Sequence, residues 1–260
     1  MAALRRAPVL RTLHALRWRR TTPLYDGGNV GTAIVRWYWS EFLSAHRDDI
    51  RGHVLEIGDT QTVRHWGGDR ITQADALDVS AHSAEVAIVA DLSRADHVPG
   101  GLYDCFLVQF TMHVIADVES ALFHAIRLLR PGGTLLVNFS SVDYQFPRGL
   151  DMATGATLWV HWCFTTLQVH NLLRRAGLSG DDYALVTYGN LLTRVAYQLN
   201  VQAEELARHE LEHRDEGHPV LICVRVTRPV EWSAPQPPPL QAWTPVTEPA
   251  ILSQRTGVYA

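Results

Sequence analysis

The feature that most constrains the fold of this chain is the alternation of short apolar runs with helical patterns between residues 52 and 227. Seven of these runs have the length and composition of β-strands. Runs without polar alternation are typical of strands that are covered by helices on both faces. The pattern therefore predicts an α/β domain around a mainly parallel sheet. The predicted strands are residues 53–58, 70–75, 85–90, 103–109, 133–139, 183–188 and 219–227.

Helices are predicted between these strands, and the clearest covers residues 117–130. Its apolar residues recur every three or four positions, Asp117 would cap its start, and the turn that begins at Pro131 would end it. A second helix is predicted from Thr165 to the glycine at 177. The full set of predicted helices is 32–47, 117–130, 165–176 and 190–208.

Composition excludes several classes of function. A formal net charge of −4 argues against a general nucleic-acid-binding protein, and no apolar run is long enough to cross a membrane. All basic side chains apart from histidine are arginine, which excludes Schiff-base chemistry on a lysine. Three widely spaced cysteines, Cys105, Cys163 and Cys223, favour free thiols in a reducing cytoplasm over a disulfide framework.

The two ends of the chain differ from the α/β region, which we place at residues 31–228. Residues 1–30 form a basic leader, since positions 1–20 hold six arginines and no acid. The leader is predicted to be either a disordered or surface-packed segment or a targeting signal. Residues 229–260 are a Pro-rich tail, either a solvated linker or a strap anchored by apolar side chains. The candidate anchors are Trp232, Trp243, Ile251 and Tyr259.

Five sequence marks between residues 54 and 139 resemble the class I S-adenosylmethionine (SAM)-dependent methyltransferases. In chain order they are Val54-Leu55-Glu56-Ile57-Gly58, Asp75, Asp91-Leu92, Tyr103-Asp104 and Leu129-Arg130-Pro131-Gly132-Gly133. The resemblance implies the Rossmann-like α/β fold of that family, with a seven-stranded sheet in the order 3-2-1-4-5-7-6 and helices on both faces. It also implies SAM as the cofactor.

The same resemblance implies a role for each mark. Glu56 would orient the cofactor loop, and Gly58 would let the backbone approach the ligand. Asp75 stands 19 residues after Glu56, at the predicted tip of the second strand, where an acid bonds the ribose hydroxyls. Asp91 would accept the adenine amino group, with Leu92 beside it.

The loop departs from the family pattern Glu-x-Gly-x-Gly-x-Gly, because Asp59-Thr60-Gln61-Thr62 follows Gly58. Asp59 could bond the amino group of the methionine moiety, and Thr60 or Thr62 could supply hydroxyl bonds. Gln109 lies at the tip of the fourth strand, where cofactor and substrate meet in this family. The missing glycines make this loop the segment on which methyl transfer depends.

Three residues are candidates for catalysis: His113, Asp143 and His161. His113 follows the fourth strand, and a histidine titrates near neutrality, which suits a general base. The alternative is that His113 packs under the cofactor and that His161 is a satisfied histidine between Trp159 and Trp162. His209 and His213 fall four residues apart, but charged neighbours mark them as a solvated helix face, so no metal site is predicted.

Three functions remain open from the sequence. The first is O-methylation of a small hydroxylated metabolite, a sugar or a glycosylated natural product. Trp162-Cys163-Phe164-Thr165 is similar to the Trp-Arg-Phe-Thr of a family branch found beside natural-product and glycan biosynthesis genes. The second is reuse of the pocket for cyclisation or elimination, and the third is a non-catalytic biosynthetic partner protein. The expected partners are a small-molecule substrate and either a second copy of the chain or a biosynthetic protein.

Overall fold

A computed structural model describes residues 31–142 and 160–238 of the chain. The chain divides into two compact units. The first unit comprises Met1–Phe42 and Thr187–Leu221, and the second comprises Leu43–Val186 and Ile222–Ala260. Asp143, one of the catalytic candidates, lies outside the described residues. Within the described part of the chain, no helix is long and apolar enough to cross a membrane.

The strands form one seven-stranded sheet in the order β3-β2-β1-β4-β5-β7-β6, which confirms the predicted topology. The β1 strand pairs in parallel with β2 and β4, β2 with β3, and β4 with β5. All the strands lie within two residues of a predicted run at both ends except β2 and β5. Their bounds are β1 Gly52–Ile57, β2 Ile71–Asp78, β3 Val86–Val89, β4 Tyr103–Val108, β5 Leu129–Ser140, β6 Tyr183–Tyr188 and β7 Leu221–Thr227.

Two helices of the second unit form where their capping residues predict them. The Asp117 carboxylate accepts a hydrogen bond from the backbone N–H of Ser120, and the hydroxyl of Thr165 accepts one from that of Gln168. Each cap satisfies a backbone donor that the helix itself leaves without a partner. The helices are α1 Ile34–Ala45, α2 Gln61–Gly67, α3 Val118–Leu128, α4 Thr166–Arg175, α5 Leu191–Gln198 and α6 Arg208–Glu212.

The core of the second unit lies between the sheet and the helices α3 and α4. Leu55, Phe106 and Val137 come from adjacent strands, and Leu122 and Leu172 come from the two helices; all five are buried. This single apolar cluster fixes the sheet and keeps the carboxyl ends of β1, β4 and β5 side by side. The loops that follow these strands therefore start from a rigid base.

The strand β2 continues three residues beyond its predicted end. Asp75 was expected at the tip, but it is the fifth of eight strand residues and pairs with Leu55 in the middle of β1. The residue at the tip is Asp78. The tip position was predicted from the spacing of 19 residues after Glu56, but the parallel pairing with β1 extends the ladder through Ala76 and Leu77.

The helix predicted over residues 190–208 is wrong as a single element. The first unit instead contains α5, a short 3-10 turn at Ala203–Glu205 and α6. Asn200 has a left-handed backbone (φ 59°), which no α-helix accommodates in its interior. The Ala203 N–H bonds the carbonyl of Thr32, so the turn is tied to the segment before α1.

The start of the Pro-rich tail packs on the second unit through Trp232. Its indole Nε1 donates to the carbonyl of Ala176 at 2.8 Å, and its ring lies 5.3 Å from that of Phe123. The Arg228 guanidinium lies 5.2 Å from the centre of the same indole. Trp232 thus behaves as the strap interpretation expects, whereas Trp243, Ile251 and Tyr259, like the basic leader 1–30, lie outside the described residues.

Candidate functional site

The order of the strands points to one edge of the sheet as the site. In open parallel α/β sheets, ligands bind at the carboxyl ends of the strands, at the position where the strand order reverses. Here the order reverses between β1 and β4. The strands β2 and β3 lie on one side of β1, and the strands β4 and β5 lie on its other side. We call the carboxyl ends of β1 and β4, residues 57–58 and 108–110, the switch point.

A buried carboxylate joins the two strands of the switch point. Glu56 is fully buried; its Oε2 accepts the backbone N–H of Val63 at 2.9 Å, and its Oε1 accepts the side-chain amide of Gln109 at 2.7 Å. The same Gln109 nitrogen lies 2.8 Å from Oγ1 of Thr62. Burial raises the pKa of Glu56 to about 7, although hydrogen bonds from Thr62 and Val63 act in the opposite direction. Glu56 and Gln109 therefore fix the loop after β1 against the end of β4.

The loop after β1 has open space at Gly58, although it contains few glycines. Gly58 has φ 86°, and a Cβ placed on it would meet only Asp78 Oδ2, at 4.0 Å. Thr60 is fully buried, and its hydroxyl accepts a hydrogen bond from Nε of Arg64 at 2.9 Å. The Asp59 carboxylate accepts the N–H of residue 61 at 2.8 Å. The hydroxyls at 60 and 62, where glycines were expected, thus have partners inside the protein.

Asp75 belongs to a different cluster of side chains. Its Oδ2 lies 2.7 Å from Nε2 of His53 and accepts the hydroxyl of Tyr103 at 3.1 Å, and the amide of Gln73 bonds Oδ1 at 3.1 Å. Burial would raise the pKa of Asp75, but the bonds from Gln73, His53 and Tyr103 outweigh it and hold this pKa below its ordinary value. The structure does not bring Asp75 to the switch point.

Two other carboxylates do lie at the carboxyl ends of their strands. Asp78 ends β2 beside Gly58, and its Oδ1 accepts the N–H of Ser80 at 3.0 Å. Asp91 follows β3, as expected, and its Oδ1 accepts both the N–H and the hydroxyl of Ser93, at 2.9 and 2.7 Å. The side chain of Leu92 is buried in the core, so only its backbone can face a ligand.

The structure brings the two candidate histidines together through the backbone. The carbonyl of His113 accepts the N–H of His161 at 2.8 Å and that of Trp162 at 3.2 Å. The side chain of His113 is only 3% exposed, whereas His161 is exposed. Trp162 also donates from its indole to the carbonyl of Ile115 at 2.8 Å. The segment around Trp162 therefore crosses the loop that follows β4.

Sequence reasoning missed three residues of this edge: Asp78, Phe110 and Asn138. A signal for Asp78 existed, because it too is an acid at a workable distance after Glu56. None existed for Phe110, which has a left-handed backbone (φ 47°), or for Asn138, whose Oδ1 accepts the N–H of Phe110 at 2.9 Å. Such a contact between two strands depends on their register and leaves no local pattern.

Neither surface cavities nor metal-ligand clusters suggest a competing site. One cavity of about 400 Å³ is lined by Trp66 and Arg70, near the amino end of β2, and contains none of the candidate residues. The candidate site therefore lies at the switch point and not at this cavity, since strand order decides where such sheets bind ligands. Among residues 31–142 and 160–238, no group of three His, Cys, Asp or Glu side chains could hold a metal ion. His209 and His213 are exposed.

Comparison with known proteins finds partial similarity to two curated proteins, one of which is a methyltransferase. No protein-family model matches it. It is 33% identical over 145 residues to the ubiquinone/menaquinone biosynthesis C-methyltransferase UbiE of Methylobacterium nodulans, covering 54% of this chain and 50% of UbiE. It is 31% identical over 88 residues to the hybrid PKS-NRPS synthetase gkaA of Penicillium citrinum, covering 31% of this chain and 2% of the synthetase. The chain thus spans half or less of these relatives.

Among solved structures, the chain is similar to the [4+2]-cyclase SpnF. The TM-score is 0.47 and the sequence identity 17%, over 86% of this chain and 92% of the cyclase.

Proposed function

We propose that the chain is a class I SAM-dependent methyltransferase that binds SAM and methylates a small molecule. The strand order of its sheet and its partial similarity to UbiE support the proposal. The observation that carries the proposal is the set of carboxylates along one edge of the sheet. Asp59, Asp78 and Asp91 follow or end β1, β2 and β3 in turn. They follow the strands on the β1 side of the switch point, and Gln109 belongs to the switch point itself, after β4.

These side chains fit the groups that SAM presents. Asp78 would accept the ribose hydroxyls, the role that the resemblance implied for Asp75, because only Asp78 ends β2 beside the left-handed Gly58. Asp91 and the backbone of Leu92 would meet the adenine. Asp59 would bond the ammonium of the methionine moiety, and carboxylates also suit the positive sulfonium.

The buried groups would keep this arrangement rigid. Glu56 holds the N–H of Val63 on one side and the amide of Gln109 on the other, so the cofactor loop cannot move independently of β4. Thr60 is fully buried, and its hydroxyl accepts a hydrogen bond from Nε of Arg64. A site that is already aligned needs little reorganisation when a ligand binds.

Bound SAM supplies an activated methyl group, so the protein has to align an acceptor and, for a hydroxyl acceptor, remove its proton. His113 and His161 are the proposed bases, and Asp143 is a third candidate outside the described residues. His161 is the more accessible of the two histidines. His113 is buried and holds His161 through its carbonyl, which fits a supporting role beside the acceptor.

We propose a hydroxylated small metabolite, a sugar or a glycosylated natural product as the acceptor. The name of the UbiE relative offers methylation at carbon as the main alternative. A cytoplasmic location is part of the proposal, because Cys105, Cys163 and Cys223 form no disulfide in the part of the chain that the structure describes. We also propose that the chain forms either a homodimer or a complex with a biosynthetic protein.

Calorimetric titration with SAM and with its demethylated product S-adenosylhomocysteine (SAH) tests the proposal. We expect both to bind with a Kd of the order of micromolar, near −8 kcal/mol. No binding of either at a hundred micromolar would contradict it. Formation of SAH from SAM in the presence of phenolic, sugar and activated-carbon acceptors then identifies the acceptor atom. Binding without transfer to any of them would favour a cyclisation or elimination in the same pocket.

A further inference from the structure

The backbone of Phe110 is strained. Within residues 31–142 and 160–238, only Phe110 and Asn200 combine a side chain with a positive φ. For an asparagine this conformation is common, but a phenylalanine pays for it with a clash between its Cβ and the backbone carbonyl. Strain of this kind persists only where the surroundings impose it, and it concentrates at ligand-binding sites.

Asn138 imposes the conformation at an energetic cost of its own. It is 1% exposed, and its Oδ1 accepts the N–H of Phe110 at 2.9 Å. Its Nδ2 is buried without a hydrogen-bond partner. A buried donor that bonds nothing destabilises the protein, so a leucine would be the more stable choice for packing alone. One hydrogen bond therefore joins two unfavourable features: the Asn138 side chain, whose Nδ2 has no partner, and the left-handed backbone of Phe110.

The strained segment lies at the switch point. Val108 pairs with Val137, so Asn138 stands beside the residues that leave β4. Gln109, immediately before Phe110, bonds Glu56 under the cofactor loop. The hydroxyl of Thr111 donates to the carbonyl of Gln109 at 2.7 Å, which closes the turn around Phe110. The hydrogen bond between Asn138 on β5 and the N–H of Phe110 thus sets the path of the chain at the switch point.

We propose that Asn138 is a positioning residue that holds Phe110 left-handed, so that residues 109–111 are preformed to receive the cofactor. The inference rests on the proposed function. It differs from a purely structural role in one respect. The hydrogen bond lowers the cost of binding by fixing the free protein in its binding conformation, so its loss reduces ligand affinity through Phe110 and not through general destabilisation.

The test is a titration of the full chain with SAH. Asn138→Leu keeps the side-chain volume but removes the acceptor, and we expect it to raise the Kd for SAH about tenfold. Asn138→Asp keeps an acceptor oxygen and serves as the conservative control, with a Kd within about threefold of the wild type. Circular dichroism checks that each variant is folded. If the leucine variant does not fold, Asn138→Ala replaces it.

A second substitution separates positioning from structure. Glycine adopts a left-handed backbone without strain, so Phe110→Gly should retain or raise Tm while it weakens SAH binding. In the Phe110→Gly background, Asn138→Leu should change the Kd by less than about threefold, because the strain it releases is gone. A full tenfold effect in that background would overturn the proposal, as would wild-type affinity in Asn138→Leu.

The titrations distinguish failure of the methyltransferase function from failure of the positioning role. If the wild-type protein binds neither SAM nor SAH, the methyltransferase function fails and the positioning role fails with it. If the wild type binds SAH and Asn138→Leu binds it equally well, only the positioning role is overturned.

Discussion

The Nε2 atom of His53 lies 2.7 Å from Oδ2 of Asp75, in the interior of strand β2 and not at its end. The hydroxyl of Tyr103 also donates to Oδ2 of Asp75, so the Asp75 carboxylate stabilises the interior of the sheet through these two contacts. The carboxyl end of the strand is left to Asp78, which lies beside Gly58. The two acids on one strand can therefore be separated by experiment.

Asp78→Asn is expected to raise the Kd for SAH about tenfold or more, because a carboxylate bonds two hydroxyls better than an amide does. Asp75→Asn is the matched control. It should leave the Kd within about twofold but lower the free energy of unfolding by about 1–2 kcal/mol, since charged hydrogen bonds are lost. Calorimetry and urea denaturation measure the two effects. A selective loss of SAH affinity in Asp75→Asn would restore the original assignment.

Glu56 should make the protein less stable as pH rises. Its pKa is about 7 in the folded protein, against an ordinary value of 4.5 for a glutamate. The folded state therefore holds the proton more tightly, and stability declines as pH increases from about 4.5 through about 7. From pH 5 to pH 8 the loss is about 2–3 kcal/mol. Removing the titrating group by Glu56→Gln should flatten this part of the profile.

Urea denaturation at several pH values between 5 and 8 measures this dependence in the wild type and in Glu56→Gln. The exposed Glu85→Gln serves as the control and should keep the wild-type profile. A Glu56→Gln profile parallel to that of the wild type would mean that Glu56 is ionised throughout this range.

Restoring a glycine to the cofactor loop should not improve it. The Thr60 side chain is buried and accepts the Arg64 guanidinium, so Thr60→Gly clears no space on the outer surface. We expect unchanged or weaker SAH binding and a loss of about 1–2 kcal/mol of stability, from the hydrogen bond and from added backbone freedom. Gln61→Ala, at an exposed position of the same loop, is the control. Tighter SAH binding by Thr60→Gly would show that the threonine obstructs the ligand.

Trp232 should stabilise the second unit although it belongs to the Pro-rich tail. Trp232→Phe removes the hydrogen bond to Ala176 and should cost about 1 kcal/mol. Trp232→Ala also removes the contact with Phe123 and should cost about 2–3 kcal/mol. The measurement is the midpoint of urea unfolding. Equal, negligible losses in both variants would mean that the tail contributes nothing to the fold.

The fold could be predicted because its determinants are local and repeated. Apolar runs specify strands, and Asp117 and Thr165 mark the starts of helices. The order of the strands in the sheet was predicted only through the family resemblance that the five marks carry. The end of β2 could not be predicted, since Asp75 and Asp78 are equally plausible in sequence. Only the pairing of Leu77 with Ile57 shows that the strand continues.

The positions of the candidate-site residues along the edge of the sheet could be predicted, but the directions of their side chains could not. Glu56, Gly58, Asp59, Asp91 and Gln109 all lie at the expected edge. Which way a side chain points is decided by partners distant in sequence. Gln109 turns to Glu56 across 53 residues, and Asn138 bonds Phe110 across 28. Left-handed conformation at a phenylalanine has no signature in composition or spacing.

The buried and hydrogen-bonded side chain of Thr60 has a consequence for how loops of this kind are recognised in other proteins. Glycine is one way to keep the surface of a loop free of side chains. A small side chain that is buried and held by a hydrogen bond to a neighbouring residue is another. A search pattern written only in glycines would pass over the second kind. A pattern that also admits threonine at these positions, with an arginine four residues further on, would find chains that have the same loop without its usual glycine signature.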